Sequence, residues 1–280
     1  MINRPRIGLL CGGALFALCL TSLNAGWQDV VGGWIVHSGS DAIATVRTAE
    51  LPGGTTIYFR NVSSQQLLAF VCTYQTTDGT VIKRVVDWFV GDQPGPQNAD
   101  EFSVALTSDE ARDVRNKELT VSAAIFADGT SRGSQDYADE IRFRWLGHRL
   151  ETERLREILD EGPDRYATST GLTELRRRVG SLPASAWDAI QSVKRIQLAG
   201  MNTVNLNELH DDTRLRALFA GIQHQRFDML RDIEALAAIP EFSGHERTNR
   251  SSRLLQLHDQ YVQKAARHRA LADRMEGVAR

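Results

Sequence analysis

The amino-acid sequence predicts an α+β protein with its strands first and its helices second. An antiparallel β-sandwich is expected over residues 34–133 and an all-α helical domain over residues 136–280. Three observations lead there. Short β-rich runs, separated by turn residues, fill the first half at the spacing of a sandwich. Apolar residues recur every three or four positions through the second half, as on the buried face of a helix. The composition also shifts near residue 135, from an acidic half to one in which cations and carboxylates nearly balance. At 280 residues the chain is long enough for two cores.

The strand candidates are Ala42–Val46, Thr55–Arg60, Leu67–Tyr74, Val81–Val86, Phe102–Leu106 and Leu119–Phe126, all rich in β-branched or aromatic residues. Pro52-Gly53-Gly54, Asn61, Asp78-Gly79, Pro94-Gly95-Pro96 and Asp128-Gly129 punctuate them. Asp78-Gly79 between two apolar runs marks a tight hairpin. The polar, proline-containing stretch Asp92–Asp100 is placed in a loop at one end of the sandwich.

Ala138, Ile141, Trp145, Leu155 and Leu159 fall near one face of a helix over 136–160, which Gly162-Pro163 stops. Trp187, Ile190, Val193 and Leu198 suggest a short helix. Leu215, Leu218, Phe219, Ile222, Met229, Leu230, Ile233 and Leu236 mark a longer one, ended by Pro240. Leu254, Leu257, Tyr261, Ala265, Leu271 and Met275 mark the last. The final two form an expected helical hairpin.

Residues 1–25 read as a secretory signal peptide. Arg4 and Arg6 precede the uncharged run Ile7–Leu20, and Ala25 offers a small residue at the cleavage point. The run is shorter than the roughly 20 residues that span a bilayer; a retained anchor is the alternative. Leu10 and Leu18 precede the two leader cysteines, which argues against a lipid anchor. No later stretch is apolar enough for a membrane helix. The mature protein is therefore expected to be exported, periplasmic if bacterial and otherwise secreted, with Cys72 as its lone thiol. Cys72 sits in an apolar run and reads as buried and inert. Asn61-Val62-Ser63 fits the glycosylation acceptor pattern of a eukaryotic route.

The stretch Thr55–Val71, with its strand, Asn-Val-Ser turn and second strand, resembles exported bacterial proteins that carry an immunoglobulin-like sandwich. Ile125–Gly133 has a counterpart in them, an apolar strand, an Asp-Gly turn and a short polar stretch before a helix. The resemblance implies an immunoglobulin-like fold and export. It brings no assigned activity and no site residues, and it does not reach the helical half.

Gly129-Thr-Ser131-Arg-Gly133 matches a nucleophile elbow, with Ser131 as nucleophile and His210 or His224 as base. Strands followed by helices are the wrong order for an α/β-hydrolase, so a polar turn is expected instead. His210-Asp211-Asp212 is a compact set of potential metal ligands, yet it also suits a helix start, where carboxylates are favoured. No histidine pair has zinc-ligand spacing and there is no Cys-x-x-Cys. His258 and His268 lie near the stripe of the last helix and read as packed. Neighbouring carboxylates such as Asp139-Glu140 do not face one another and read as solvated. No phosphate-binding glycine loop is present, and a net charge of −2 gives no nucleic-acid signal. No catalytic residue, cofactor or metal is assigned.

Trp88 and Phe89 either form a platform for a carbohydrate or peptide or cap the sandwich core. The function expected is a non-enzymatic binding or scaffolding module of the cell envelope. Its partner would be another protein, or a second copy held through the C-terminal helices by Leu254, Tyr261 and Leu271. The alternatives are a hydrolase using Ser131 or a His210/Asp211/Asp212 site and a self-associating structural protein.

Overall fold

Alternating and continuous apolar runs in the first half sort its strands into two sheets that share one interior. The computed structural model describes residues 27–91, 93–182, 212–238 and 246–278. The strands are β1 (Trp27–Val31), β2 (Trp34–Ser38), β3 (Ile43–Leu51), β4 (Gly54–Asn61), β5 (Leu67–Gln75), β6 (Val81–Asp87), β7 (Glu101–Thr107), β8 (Glu118–Phe126) and β9 (Ser131–Gly133). The helices are α1 (Ser108–Asp113), α2 (Gln135–Asp160), α3 (Ser169–Gly180), α4 (Asp212–Ala237) and α5 (Glu246–Val278).

One sheet runs β1-β2-β8-β5-β6, with β9 also on β8; the other runs β3-β4-β7. Most pairs are antiparallel, as the sequence predicts, with one exception: β2 lies parallel to β8. All six predicted strands are present. β1 and β2 are added before them, turned by Gly32-Gly33, both in the left-handed region that glycine adopts freely. The Asp78-Gly79 turn closes the β5–β6 hairpin as expected.

Trp34, Phe70, Leu119 and Val121 of the larger sheet meet Ile57, Phe59, Phe102 and Val104 of the smaller. Phe59, Phe70 and Phe102 lie with ring centroids 5.1–5.6 Å apart, a separation suited to tilted and edge-on aromatic pairs. The opposite face of the larger sheet is covered as well. Ala69, Val71, Ala123 and Ile125 pack against Ala138, Ile141 and Trp145 of α2 and Leu271 of α5. β5 is therefore buried on both faces, which its unbroken run Leu67–Cys72 demands. β7, covered on one face only, alternates strictly.

The helical half packs on the sheet through that layer. α2 is stopped at Gly162-Pro163 as predicted, and the chain then makes a short 3₁₀ turn at Pro163–Tyr166. α3, absent from the sequence reading, is capped by the Thr168 hydroxyl, which accepts from the Gly171 amide at 3.0 Å. α2 and α4 cross where Gly147 meets Gly221. A Cβ on Gly147 would stand 2.0 Å from the Leu218 carbonyl oxygen, and one on Gly221 2.1 Å from that of Arg144. Only glycine permits this approach. Leu155, Leu159, Met229, Ile233, Leu254 and Tyr261 close the interior formed by α2, α4 and α5. The helix expected around Trp187 lies outside the described residues. No helix among those described is long and apolar enough to cross a membrane.

Candidate functional site

The connection from β6 to β7 leaves the end of the two-sheet layer and returns with a cavity of about 380 Å³ beside it. Trp88, Pro94, Pro96 and Phe102 supply its apolar wall; Asp100 and Glu101 stand at its acidic rim. Trp88 leans edge-on against Phe102 at 5.3 Å and stays partly exposed, so it caps the interior and presents a face to solvent at once. Phe89 has no such dual role. It is buried against Trp145 and His268, with the Arg267 guanidinium 5.2 Å from its ring centre. The two-residue platform is corrected to Trp88 alone, because the adjacent side chain is consumed by the helical half.

Asn61 fixes this loop. Its fully buried amide donates to the Gln65 carbonyl at 2.7 Å and the Pro96 carbonyl at 2.9 Å. Its Oδ1 accepts from the Ser63 amide and hydroxyl at 3.0 and 2.7 Å. The Leu67 amide also donates to Pro96, at 2.9 Å. Asn61-Val-Ser63 is thus a structural turn, and its side chain is closed to glycosylation in the folded chain. From the rim a charged row runs over the smaller sheet. Glu101 accepts from Arg60 at 2.7 Å, and the Arg47 guanidinium, 4.0 Å from Glu101, stacks 3.5 Å from the Tyr58 ring centre.

Ser131 lies on β9, not at an elbow. Its hydroxyl accepts from Arg142 at 3.2 Å and donates to Gln135 Oε1 at 3.4 Å. Neither partner is a base. His224, a proposed base, packs its ring against His148 at 5.1 Å on the α2–α4 crossing. His210 and Asp211 lie outside the described residues, and Asp212 begins α4, the helix-start role the sequence also allowed. Among the described residues no three of His, Cys, Asp and Glu gather as a metal site. Leu254, Tyr261 and Leu271 are buried in the chain's own interior. The self-association interface assigned to them is therefore corrected, since these side chains are already used within one copy. Cys72 is buried, and desolvation pushes its thiol up to about 12, the inert state expected.

A polar layer that the sequence reading passed over crosses the helical interior. His148, 1% exposed, lies 3.4 Å through Nδ1 from Gln225 Oε1, whose amide donates to the Tyr261 hydroxyl at 3.2 Å. Nε2 of His148 has no hydrogen-bond partner among the described residues. Burial, reinforced by His224, drives this imidazole down to about 3. His268 is lowered by burial too. Beside them, buried Glu151 accepts from Arg226 at 2.6 Å, and Arg226 also donates to the Leu182 carbonyl. The signal was available: His148 and Thr152 occupy the stripe between Trp145 and Leu155, where apolar residues belong.

Comparison with protein-family models, with curated proteins and with solved structures finds no match.

Proposed function

We propose that this chain is an exported, non-enzymatic binding or scaffolding module of the cell envelope, periplasmic if its source is bacterial. The observation that carries the reading is the cleft beside the β6–β7 loop together with the row that extends from it. Trp88, Tyr58, Arg47 and Arg60 are residue types that dominate binding energy at protein interfaces. Trp88 stands on the loop that lines the cavity, while Arg47 on β3 and Tyr58 and Arg60 on β4 extend from its Glu101 rim, so the strand-borne groups would meet a partner already ordered. The acidic rim of Asp100 and Glu101 favours a partner segment bearing Lys or Arg.

Export rests on the basic start at Arg4 and Arg6 and the uncharged run that follows. An immunoglobulin-like assignment for the first half is supported by strands that pass repeatedly from one sheet to the other: β2 to β3, β4 to β5, β6 to β7 and β7 to β8. Fold alone would not give a function.

The test places a photo-crosslinking residue at exposed Gln97 and, as control, at exposed Arg177 on α3, in tagged full-length chain in its native cells. A discrete adduct from position 97, absent from position 177 and lost in Glu101→Lys, is the expected result. Equal labelling from both positions, or none from 97, would contradict it. Mass spectrometry of the recovered chain should find its first residue near Gly26; a chain retaining residues 1–25 would remove cleavage from the proposal.

A further inference from the structure

The helix-facing side of the larger sheet divides into two halves at a bulge. Val71 of β5 pairs with Ala123 of β8, but Cys72 pairs with Val121, so Ser122 is an extra residue on β8. On one side of it Ala69, Val71, Ala123 and Ile125 lie buried under α2 and α5. On the other side the same face carries Thr73 and Gln75 of β5 and Glu118 and Thr120 of β8; Gln75 is exposed and the rest partly so. The Thr73 and Ser122 hydroxyls bond at 2.8 Å across the boundary. The sequence changes character where the cover ends.

This polar half is concave. A cavity of about 490 Å³ lies over it, within the size range of small-molecule sites. Arg115 and Asn116, on the turn before β8, form its lip. Asn116 and Lys117 both have positive φ, at 55° and 53°, a backbone state uncommon outside glycine and best tolerated by Asn. That backbone carries the lip residues to the rim of the cavity, where Arg115 donates to Gln75 Oε1 at 3.3 Å.

The lining decides the ligand class. One guanidinium, Arg115, is balanced by one carboxylate, Glu118, so the cavity has no net bias toward an anion or a cation. The remaining lining is the hydroxyls of Thr73 and Thr120 and the amides of Gln75 and Asn116, which can both donate and accept, together with Tyr74 and the exposed side chain of Val81. Such a set matches vicinal hydroxyls, which also donate and accept. We propose that this cavity binds a neutral polyhydroxylated ligand of mono- or disaccharide size. The site is separate from the Trp88 cleft, and nothing in it depends on the protein-binding proposal.

The test is an amide-resolved NMR titration of the full chain with maltose, with chitobiose and, separately, with sodium sulfate. Shifts with a saccharide, confined to residues 73–75 and 115–120, are expected. Glu118→Ala and Asn116→Gly should each weaken binding about tenfold, as expected for losing one or two hydrogen bonds to the ligand. Asn116→Gly keeps the positive φ, so its thermal midpoint should be unchanged and folding is not at issue. No shift with either saccharide would overturn the proposal, as would shifts with sulfate alone, which would mark an anion site.

Discussion

Between the two sheets the buried side chains are mostly apolar and aromatic, with the small polar groups of Ser38, Thr55 and Asn61 near the strand ends, whereas between α2, α4 and α5 they include the ionisable His148, Glu151, Arg226 and His268 together with Gln225. The sheet interior is held by area removed from water, about 1.5–3 kcal/mol for each large side chain. A one-residue slip would turn the apolar face of a strand such as β7 to solvent, so burial by itself holds the register. The helical interior has a cost built into it, because each buried polar group must find its partner in one particular arrangement. A Gln225 that bonds both His148 and Tyr261 has its partners only when α2, α4 and α5 are in this register. Polar residues at core positions of packed helices are known to fix alignment at the expense of stability. The first half thus specifies its fold by pattern, and the second adds specific polar pairing.

That contrast can be broken most sharply at Glu151. Glu151→Ala leaves the Arg226 guanidinium, 7% exposed, buried without its carboxylate, and should cost about 3–5 kcal/mol in urea unfolding. The double variant Glu151→Leu, Arg226→Met removes both charges and should be close to wild type or more stable. If the double variant is as damaged as the single one, the ion pair is needed for more than charge balance.

A smaller loss is expected at the crossing of α2 and α4. Gly147→Ala gains about 1 kcal/mol in helix propensity. Its new Cβ meets backbone, not a flexible side chain, and overpacking of this kind costs about 1–3 kcal/mol. A net destabilisation with separated helices is the outcome, read by thermal midpoint; a stabilised variant would show that the helices part freely.

Acid should weaken the helical interior specifically. His148 is held at about 3 in the folded chain, against about 6.5 when unfolded. Above pH 6.5 both states are neutral and stability is full. As pH falls below that, only the unfolded chain takes up the proton, so stability falls by about 1.4 kcal/mol per pH unit toward pH 3. His268 adds to the loss in the same window, with Arg267, Arg149 and Lys264 nearby to oppose its charge. Asp87, whose carboxyl burial raises, works the other way, binding its proton more readily when folded. His148→Gln should flatten the profile between pH 6.5 and 5; an unchanged slope would place the titration elsewhere.

The smallest effect belongs to the surface. Glu101→Gln removes the exposed partner of Arg60 and should change stability by less than about 1 kcal/mol, while the proposed crosslink at position 97 weakens. A large stability loss would make Glu101 structural.

Much of the first half could be read because its signals are local. Phe102, Val104 and Leu106 alternate with small or polar exposed neighbours along β7, and Asp78-Gly79 names its own turn. The unbroken run Leu67–Cys72 is the local mark of burial on both faces, and hence of a second layer above the sheet. α1 has only six residues, so the capping box of Thr107 and Glu110, which the structure forms in full, is its one sequence mark. The parallel placement of β2 on β8 is a long-range pairing that no local pattern encodes. The polar layer is not legible in the same way because His148, Gln225 and His268 lie on three different helices; each interrupts an apolar stripe, and only their meeting gives the interruption meaning. The Trp88 cleft was half legible, since the loop was evident but the burial of Phe89 depends on α5, nearly 180 residues away.

The most direct test of the contrast is hydrogen exchange by mass spectrometry at pH 7 and pH 5, corrected for intrinsic rates. Protection should fall at pH 5 in α2, α4 and α5 while β5 and β8 keep theirs. Loss of protection in β5 and β8 first, or no change in the helices, would contradict the account.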